Sequence, residues 1–417
     1  MYISKFNYVS DQGKDHQRLL INFLTQSADI ISSEMADFFL GDNEESILTK
    51  EEREYVLERG YAFDNKNQES LILEALYEFE KKNSAPIYLV YLGMFGKEKF
   101  LFDNISKKID ELIDKNDDNL KPELILYSDS ALSKHLDIND LEKFLNSYHI
   151  YNLNKKIVTC PENISLFYPL LTKGLVTDIT LICRLSESFV PPSFNRDTEE
   201  FLDRLIENKT NVILDLRLNQ EDIEKLKPLV NYFIHKGWPF QDNFKCFISP
   251  LENEACILGY CYSTDIELTK KIFRVFKTFP QTELCSMEKW IGINIIHALI
   301  WRGKILNPSF HFCNASKGLR VITVDGDVFP CLKHAEKKHE IPKEIKIKLE
   351  SFYQRKEITS TDCHECRYIL SCGGGCGYKA LINNSGRACC PPIKDLMEIS
   401  SGMYFDEFLE KLEFLKQ

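Results

Sequence analysis

The spacing of apolar residues changes character along the 417-residue chain. Residues 1–83 mix short β-type runs with amphipathic stretches. Tyr2 to Val9 alternates loosely, and Leu19 to Thr25 is a second β-rich run. Ser32-Ser33-Glu34 to Phe39 predicts a capped helix. Thr49, with Glu52 three residues on, has the form of a capping box and predicts another helix, which Gly60 ends. Glu69 to Lys82 predicts a third.

From Pro86 strands and helices alternate. Ile87 to Leu92, Leu124 to Tyr127, Lys156 to Thr159, Ile179 to Cys183, Val212 to Leu218 and Phe244 to Ile248 are buried-type strands. Phe102 to Lys115, Asn139 to Ser147, Ile164 to Lys173 and Glu199 to Asn208 are the helices between them. Ile223, Leu226, Leu229, Val230, Phe233 and Ile234 mark one helical face at period 3.6. Such βα alternation implies a parallel sheet with crossover helices, closed or partly closed. Met287 to Leu306 then predicts a long helix, with an apolar stripe from Ile291 to Ile300 and Gly303 as its cap. Lys337 to Gln354 carries mixed charge and reads as exposed. The tail from Met403 to Leu415 is amphipathic and is expected to pack back on the body or on a partner.

The length calls for two or three domains, and 44% hydrophobic residues suffice for substantial cores. A net charge of −11 argues against general nucleic-acid binding, because no cationic excess is available to neutralise phosphates. No apolar run reaches ~18 residues, so no membrane span is expected. The start, Met1-Tyr2-Ile3-Ser4-Lys5-Phe6, lacks the charge and apolar core of a signal peptide. The expected compartment is a reducing cytoplasm.

Cysteines change the picture. Eight of fourteen fall in the last quarter, and none precedes Cys160. Cys313 is followed by twelve residues, Gly326, four more, and Cys331. Then come Cys363-x2-Cys366-x5-Cys372-x3-Cys376 and the pair Cys389 and Cys390. Disulfides, zinc and iron–sulfur clusters all draw on such spacings. A reducing compartment disfavours disulfides. Zinc usually takes its second thiol pair from another short loop, whereas here Cys372-Gly-Gly-Gly-Cys376 follows. Three glycines let the backbone wrap closely and aim N–H groups at sulfur, which suits an anionic cluster. Zinc remains the alternative.

This pattern resembles the SPASM domain, which ends many radical SAM peptide-modifying enzymes and holds two auxiliary [4Fe–4S] clusters. Val324-Asp325-Gly326-Asp327-Val328-Phe329-Pro330-Cys331 is similar to the family's strand–turn–strand before a ligand cysteine. Asp-Gly ahead of β-branched and aromatic residues is also a hairpin signal on physical grounds. The resemblance in spacing covers about 80 residues. It implies an α/β chain of three parts: an N-terminal prelude at 1–83 that touches a peptide substrate, a degenerate radical-SAM-like (β/α) barrel at 84–303, and a cluster domain at 304–417. It also implies the ligands. Cys313, Cys331 and Cys376 would hold the first cluster. Cys363, Cys366, Cys372 and Cys390 would hold the second, with Cys389 as the alternative to Cys390. The family's further cysteine before the Cys313 position has no counterpart here, leaving the first cluster open to water, a substrate group, His311 or Cys285.

The chain departs from the family at the SAM site. Cys-x3-Cys-x2-Cys should follow the first barrel strand, because three thiolates leave one iron to chelate SAM. The corresponding loop is Gly93-Met94-Phe95-Gly96-Lys97-Glu98-Lys99-Phe100, and the triplet occurs nowhere in the chain. Where a Gly-Gly-Glu should follow the second strand, Leu126-Tyr127-Ser128-Asp129-Ser130 stands. No SAM cleavage is expected. Family members without the radical SAM cluster are known beside ATP-grasp ligases, in grasp-with-spasm systems. The implied partners are a ribosomally made precursor peptide and a modifying enzyme.

Other candidates have plainer readings. Cys256-x4-Cys261, Cys160, Cys183 and Cys246 suit core packing. Gly93-x2-Gly96-Lys97 lacks phosphate-loop spacing. His364, between two ligand candidates, suits a supporting or solvent-facing role, and no catalytic set can be picked out by order alone. Three functions remain open: a SAM-independent component of peptide maturation, an iron–sulfur electron-transfer protein, and a zinc-stabilised binding module.

Overall fold

The computed structural model describes residues 1–11, 16–41, 48–92, 102–113, 121–128, 132, 136–148, 153–185, 196–251, 266–279, 281, 284–285, 290, 295–296, 309–310, 313–316, 318–337, 363, 365–383 and 392–416. Its frame is a run of parallel strands laid down in chain order: β6 (Ile87–Tyr91), β7 (Glu123–Tyr127), β8 (Asn154–Thr159), β9 (Asp178–Arg184), β10 (Asn211–Leu218) and β11 (Phe244–Pro250). Each strand pairs with the next, as Tyr91 does with Tyr127 and Leu214 with Cys246. A sheet wound in one direction keeps its crossover helices on one face and curves toward a barrel. The expected α/β partial barrel is present.

The helices between strands are α4 (Phe102–Ile113), α5 (Ile138–Ser147), α6 (Ile164–Thr172), α7 (Arg196–Glu207), α8 (Ile223–Lys236) and, after β11, α9 (Ile266–Thr278). Alternate strand residues, among them Leu124, Ile157, Leu181, Leu214 and Ile248, pack against all six in one continuous core. The predicted stripe of α8 is the buried one, and Gly237, left-handed at φ 73°, ends that helix. α9 escaped the sequence reading although Leu268, Ile272, Phe273 and Phe276 are buried at helical spacing.

The other strand faces turn inward. Ile87, Leu89, Tyr91, Ile125, Tyr127, Val158 and Ile182 form a second core with Leu319, Val321 and Phe329. Those last three residues belong to β12 (Leu319–Ile322) and β13 (Val328–Phe329), the hairpin predicted around Asp325-Gly326. Gly326 sits at φ 82°, the left-handed turn that glycine permits. β12 also pairs in parallel with β6, opposite to β7, so the sheet crosses the boundary expected at 303 and has eight strands among the described residues.

Residues 1–83 begin with β1 (Tyr2–Ile3) paired to β5 (Ala62–Phe63), and an antiparallel sheet of β2 (Asn7–Val9), β3 (Gln17–Asn22) and β4 (Ala28–Ser32). α1 (Ser33–Leu40) is capped by Ser32, as expected. α2 (Lys50–Glu58) carries the full Thr49–Glu52 capping box. α3 (Lys66–Lys82) starts three residues before its expected bound, because the Asn65 side chain accepts from the Asn67 and Gln68 N–H groups. β4 was not foreseen, since it runs into the cap of α1 with no turn between them.

The long C-terminal helix, Ile393–Lys416, packs back on the body as expected. Ile399 and Met403 meet the barrel core, while Leu396, Met397, Tyr404 and Phe405 belong to the core shared by the prelude and the cysteine segment. Lys277 of α9 donates to the Met403 carbonyl and pairs with Glu407 at 3.5 Å. Of the helix expected at 287–306, Trp290 lies in the barrel core, donating to the Ile248 carbonyl at 2.7 Å. Ile295 and Ile296 lie in the other core. The rest of that segment, like most of 337–354, lies outside the described residues. Among the described residues no helix is long and apolar enough to cross a membrane.

Asp215 and Arg217, two apart on β10, share the inward face, each with its side chain only 2% exposed. Arg217 donates from Nε and Nη2 to Asp215 Oδ2, both at 3.1 Å, and Ser249 of β11 donates to Oδ1. Removing one partner strands a buried charge. Arg217→Met is therefore expected to destabilise the fold by about 3–5 kcal/mol, and Asp215→Leu/Arg217→Met to recover most of that loss. Urea midpoints of the two variants check this.

Candidate cysteine centre

The hairpin β12–β13 delivers the chain to Cys331, which caps the short helix Leu332–Glu336. Its sulfur accepts the His334 N–H at 3.4 Å, and the His334 ring is buried against Phe329, with centroids 5.2 Å apart. Cys363 and Cys366 bracket a turn in which the Cys366 N–H reaches the Cys363 carbonyl at 3.1 Å. Cys372 closes the short helix Ile369–Cys372. Gly373, Gly374 and Gly375 then hold φ of 54°, 75° and 74° in succession. Three left-handed residues in a row strongly favour glycine. Their effect is to fold the backbone over sulfur: the Gly374 N–H donates to Cys372 Sγ at 3.3 Å. This is the behaviour expected of the triple glycine. Cys376 follows, its carbonyl accepting the Ala380 N–H in the next helix, Gly377–Asn383.

Cys313, Cys331, Cys363, Cys366, Cys372 and Cys376 are thiols, not half-cystines. Cys363 and Cys372 are buried in an apolar core, and Cys313, Cys331 and Cys376 pack against it. Cys366 is half-buried but lies outside that core. The other side of the core is the prelude: Phe6, Tyr8, Leu19, Ile21, Phe23, Leu24 and Phe63. Tyr368 meets both Tyr8 and Phe23, with ring centroids at 6.3 and 5.9 Å. Tyr8 donates to Glu398 of the C-terminal helix at 2.6 Å, and Asp11 N–H to the same carboxylate at 2.9 Å. Burial, then the Glu398 charge, raises the Tyr8 hydroxyl far above its ordinary value, so it stays a donor. Burial likewise raises the Glu398 carboxyl. Sequence order could not have joined residues 8 and 398.

Two thiols thus have backbone donors, and five share an apolar setting, which is donor chemistry suited to an anionic, sulfur-bound cluster. Among the described residues no three His, Cys, Asp or Glu side chains gather into a set for a single metal ion. Cys389 and Cys390, the loop 93–100, Cys256, Cys261, His311 and His364 lie outside the described residues. Cys160, Cys183, Cys246 and Cys285 are buried elsewhere, as core packing predicts for the first three. Cys285, raised as a spare ligand for the first cluster, lies with Cys246 in the barrel core, away from the cysteine core. The pair Asp215 and Arg217 was missed, although two charges at inward positions of the run Val212-Ile-Leu-Asp-Leu-Arg-Leu218 were a readable signal.

No protein-family model matches the chain, and no curated protein matches it in sequence. Solved structures match it at low identity and low TM-score. SuiB of Streptococcus suis bound to S-adenosylmethionine is 14% identical, with a TM-score of 0.44 over 92% of this chain and 97% of that one. SuiB bound to its precursor peptide SuiA gives 15%, 0.44 and the same coverage. A hexahistidine-tagged anSMEcpe with bound AdoMet gives 13% and 0.47, over 79% of this chain and 98% of that one. At these identities and TM-scores the likeness assigns this chain no role.

Burial, then the nearby Glu162, pushes the Cys160 thiol up to about 12, and burial raises Cys183 and Cys246 as well. Native metal-free protein treated with iodoacetamide at mildly alkaline pH is expected to be alkylated first at the half-buried Cys313, Cys331, Cys366 and Cys376. Cys160, Cys183 and Cys246 should react only after denaturation, as mass spectrometry of the peptides will read. Gly374→Ala must hold alanine at positive φ, a strain of about 1–2 kcal/mol. Faster amide hydrogen exchange over residues 369–383, with the barrel unchanged, is the expected result.

Proposed function

We propose that the chain is a component of ribosomal peptide maturation that carries auxiliary [4Fe–4S] clusters and works without cleaving SAM. What supports this most is the cysteine series: six described thiols at SPASM-like spacing, five of them in or against one core with the prelude, though no three of them converge as a single-ion site. In this reading Cys363, Cys366, Cys372 and Cys390 (or Cys389) hold one cluster, and Cys313, Cys331 and Cys376 a second. When bound, the clusters would supply a redox-active, anionic centre. The chain's own part is to keep thiolates in an apolar setting and to donate N–H groups from Gly374 and His334 to two of the sulfurs. Residues 1–83 bind the precursor peptide, and 84–303, with β12 and β13 completing the sheet, form a barrel whose sequence lacks the SAM-binding motifs. A modifying enzyme such as an ATP-grasp ligase does the chemistry on the peptide. The absence of the cysteine triplet from the sequence is what sets this reading apart from a radical enzyme.

Protein purified without oxygen is expected to be brown, with a broad absorption near ~400 nm and about seven to eight irons per chain; about four would mean a single cluster. Reductant and SAM should yield no 5′-deoxyadenosine, and its formation would overturn the SAM-independent assignment. Zinc in place of iron would reduce the segment to a structural module.

A further inference from the structure

Exposed apolar surface and negative charge are both concentrated on the prelude. Of nine large hydrophobic side chains exposed among the described residues, seven lie within residues 1–83. That stretch also carries nine Lys and Arg against seventeen Asp and Glu, a net −8 of the whole chain's −11. Three of the exposed apolar residues, Leu71, Ile72 and Phe79, lie on α3, which itself carries four carboxylates and three lysines.

The inner face of α3 is committed. Glu69 accepts from Ser4 Oγ at 2.7 Å and from the Lys5 N–H at 3.2 Å, Leu73 and Leu76 pack on the shared core, and Tyr77 meets Phe310 at 5.9 Å between centroids. Glu80 accepts the Phe310 N–H at 3.0 Å. The outer face carries Leu71 and Phe79, 65% and 64% exposed, with Ala75 between them and Ile72 beside them at 40%. Steps of four residues place these on one stripe. Glu74 and Glu78, both exposed, flank it on one side, and the exposed Lys82 stands at its C-terminal end. An apolar stripe edged by carboxylates on a helix held rigidly from behind is a surface shaped for another polypeptide.

We propose that the outer face of α3 docks a cationic, apolar-bearing peptide segment: leucine-like side chains seat on Leu71, Ile72 and Phe79, and lysines or arginines pair with Glu74 and Glu78. This deepens the peptide-binding part of the reading above and rests on it, but not on the clusters. The charge selects the occupant. A net −8 on one-fifth of the chain repels a second acidic prelude and repels an anionic lipid surface, while it attracts and steers a basic segment. Because α3 touches the segment leading into Cys313 through Phe310, a peptide held there lies one helix away from the cysteine core.

The test uses full-length protein and two synthetic probes: an amphipathic peptide of leucine and lysine at helical spacing, and its leucine–glutamate counterpart. Fluorescence anisotropy should show the lysine probe binding, weakening steeply with added salt, and the glutamate probe not binding. Leu71→Ser/Phe79→Ser and, separately, Glu74→Lys/Glu78→Lys should each weaken the lysine probe roughly tenfold or more. Phe240→Ser, which removes a 64% exposed apolar side chain from the barrel side, should leave binding unchanged. All the substituted positions are exposed, so unchanged melting temperatures are expected to exclude unfolding. Equal binding of both probes, or loss on Phe240→Ser alone, overturns the proposal. So does a dimer in sedimentation that Leu71→Ser/Phe79→Ser dissolves, which would make the stripe a self-association face. Iron measured on the same samples keeps the two readings apart. Iron-loaded protein that ignores the lysine probe sinks the docking surface, whereas zinc-loaded protein that binds it as described sinks only the cluster assignment.

Discussion

The structure depends on a shared core. Among the described residues the cysteine segment has little regular structure of its own: a two-stranded hairpin, a few short helices and a run of glycines. Short segments of this kind bury too little apolar surface to stand alone and usually need disulfides, a metal or a neighbour. Here the neighbour is the prelude sheet, whose Phe6, Tyr8, Leu19, Ile21 and Phe23 supply the apolar wall that Cys363, Ile369, Leu370 and Cys372 complete. The C-terminal helix fastens the pair from behind, with Glu398 accepting both the Tyr8 hydroxyl and the Asp11 N–H. The two ends of the chain are therefore one folding problem, and the thiols are set by residues at the far end of the sequence.

The barrel answers a different constraint. Strands wound in one direction bury one face under helices and turn the other inward, and the inward face near β10 is not wholly apolar. Asp215, Arg217 and Ser249 satisfy one another there. A buried ion pair of this kind contributes little net stability, yet its half-removal is costly. It holds β10 and β11 in register at the carboxyl ends of the strands, the end at which α/β barrels commonly place their sites.

Local signals in the sequence were read well where they were strong. The Thr49–Glu52 capping box, the Asp325-Gly326 turn, the stripe of α8 and the order of the parallel strands all have short-range causes. What escaped had weak or distant causes. β4 runs into the Ser32 cap without a turn residue to announce it. α9, by contrast, carried a readable stripe in Leu268, Ile272, Phe273 and Phe276. In the cysteine centre, the bond from Gly374 to sulfur followed from the triple glycine, because only backbone freedom was needed. The contact of the thiols with Tyr8 and Phe23 did not, because nothing local records which sheet a distant cysteine will face.

β12 pairs with β6 although most of the chain lies between them in sequence. As the chain leaves the ribosome, β6 to β11 can assemble while one edge of β6 still lacks its neighbour. Until residues 319–322 emerge, that edge is an apolar strand with unpaired backbone groups, the kind of template on which nascent chains associate wrongly. Non-local pairing of this sort is also slow to form. The late hairpin before Cys331 therefore supplies the last strands of the sheet in chain order and closes that edge.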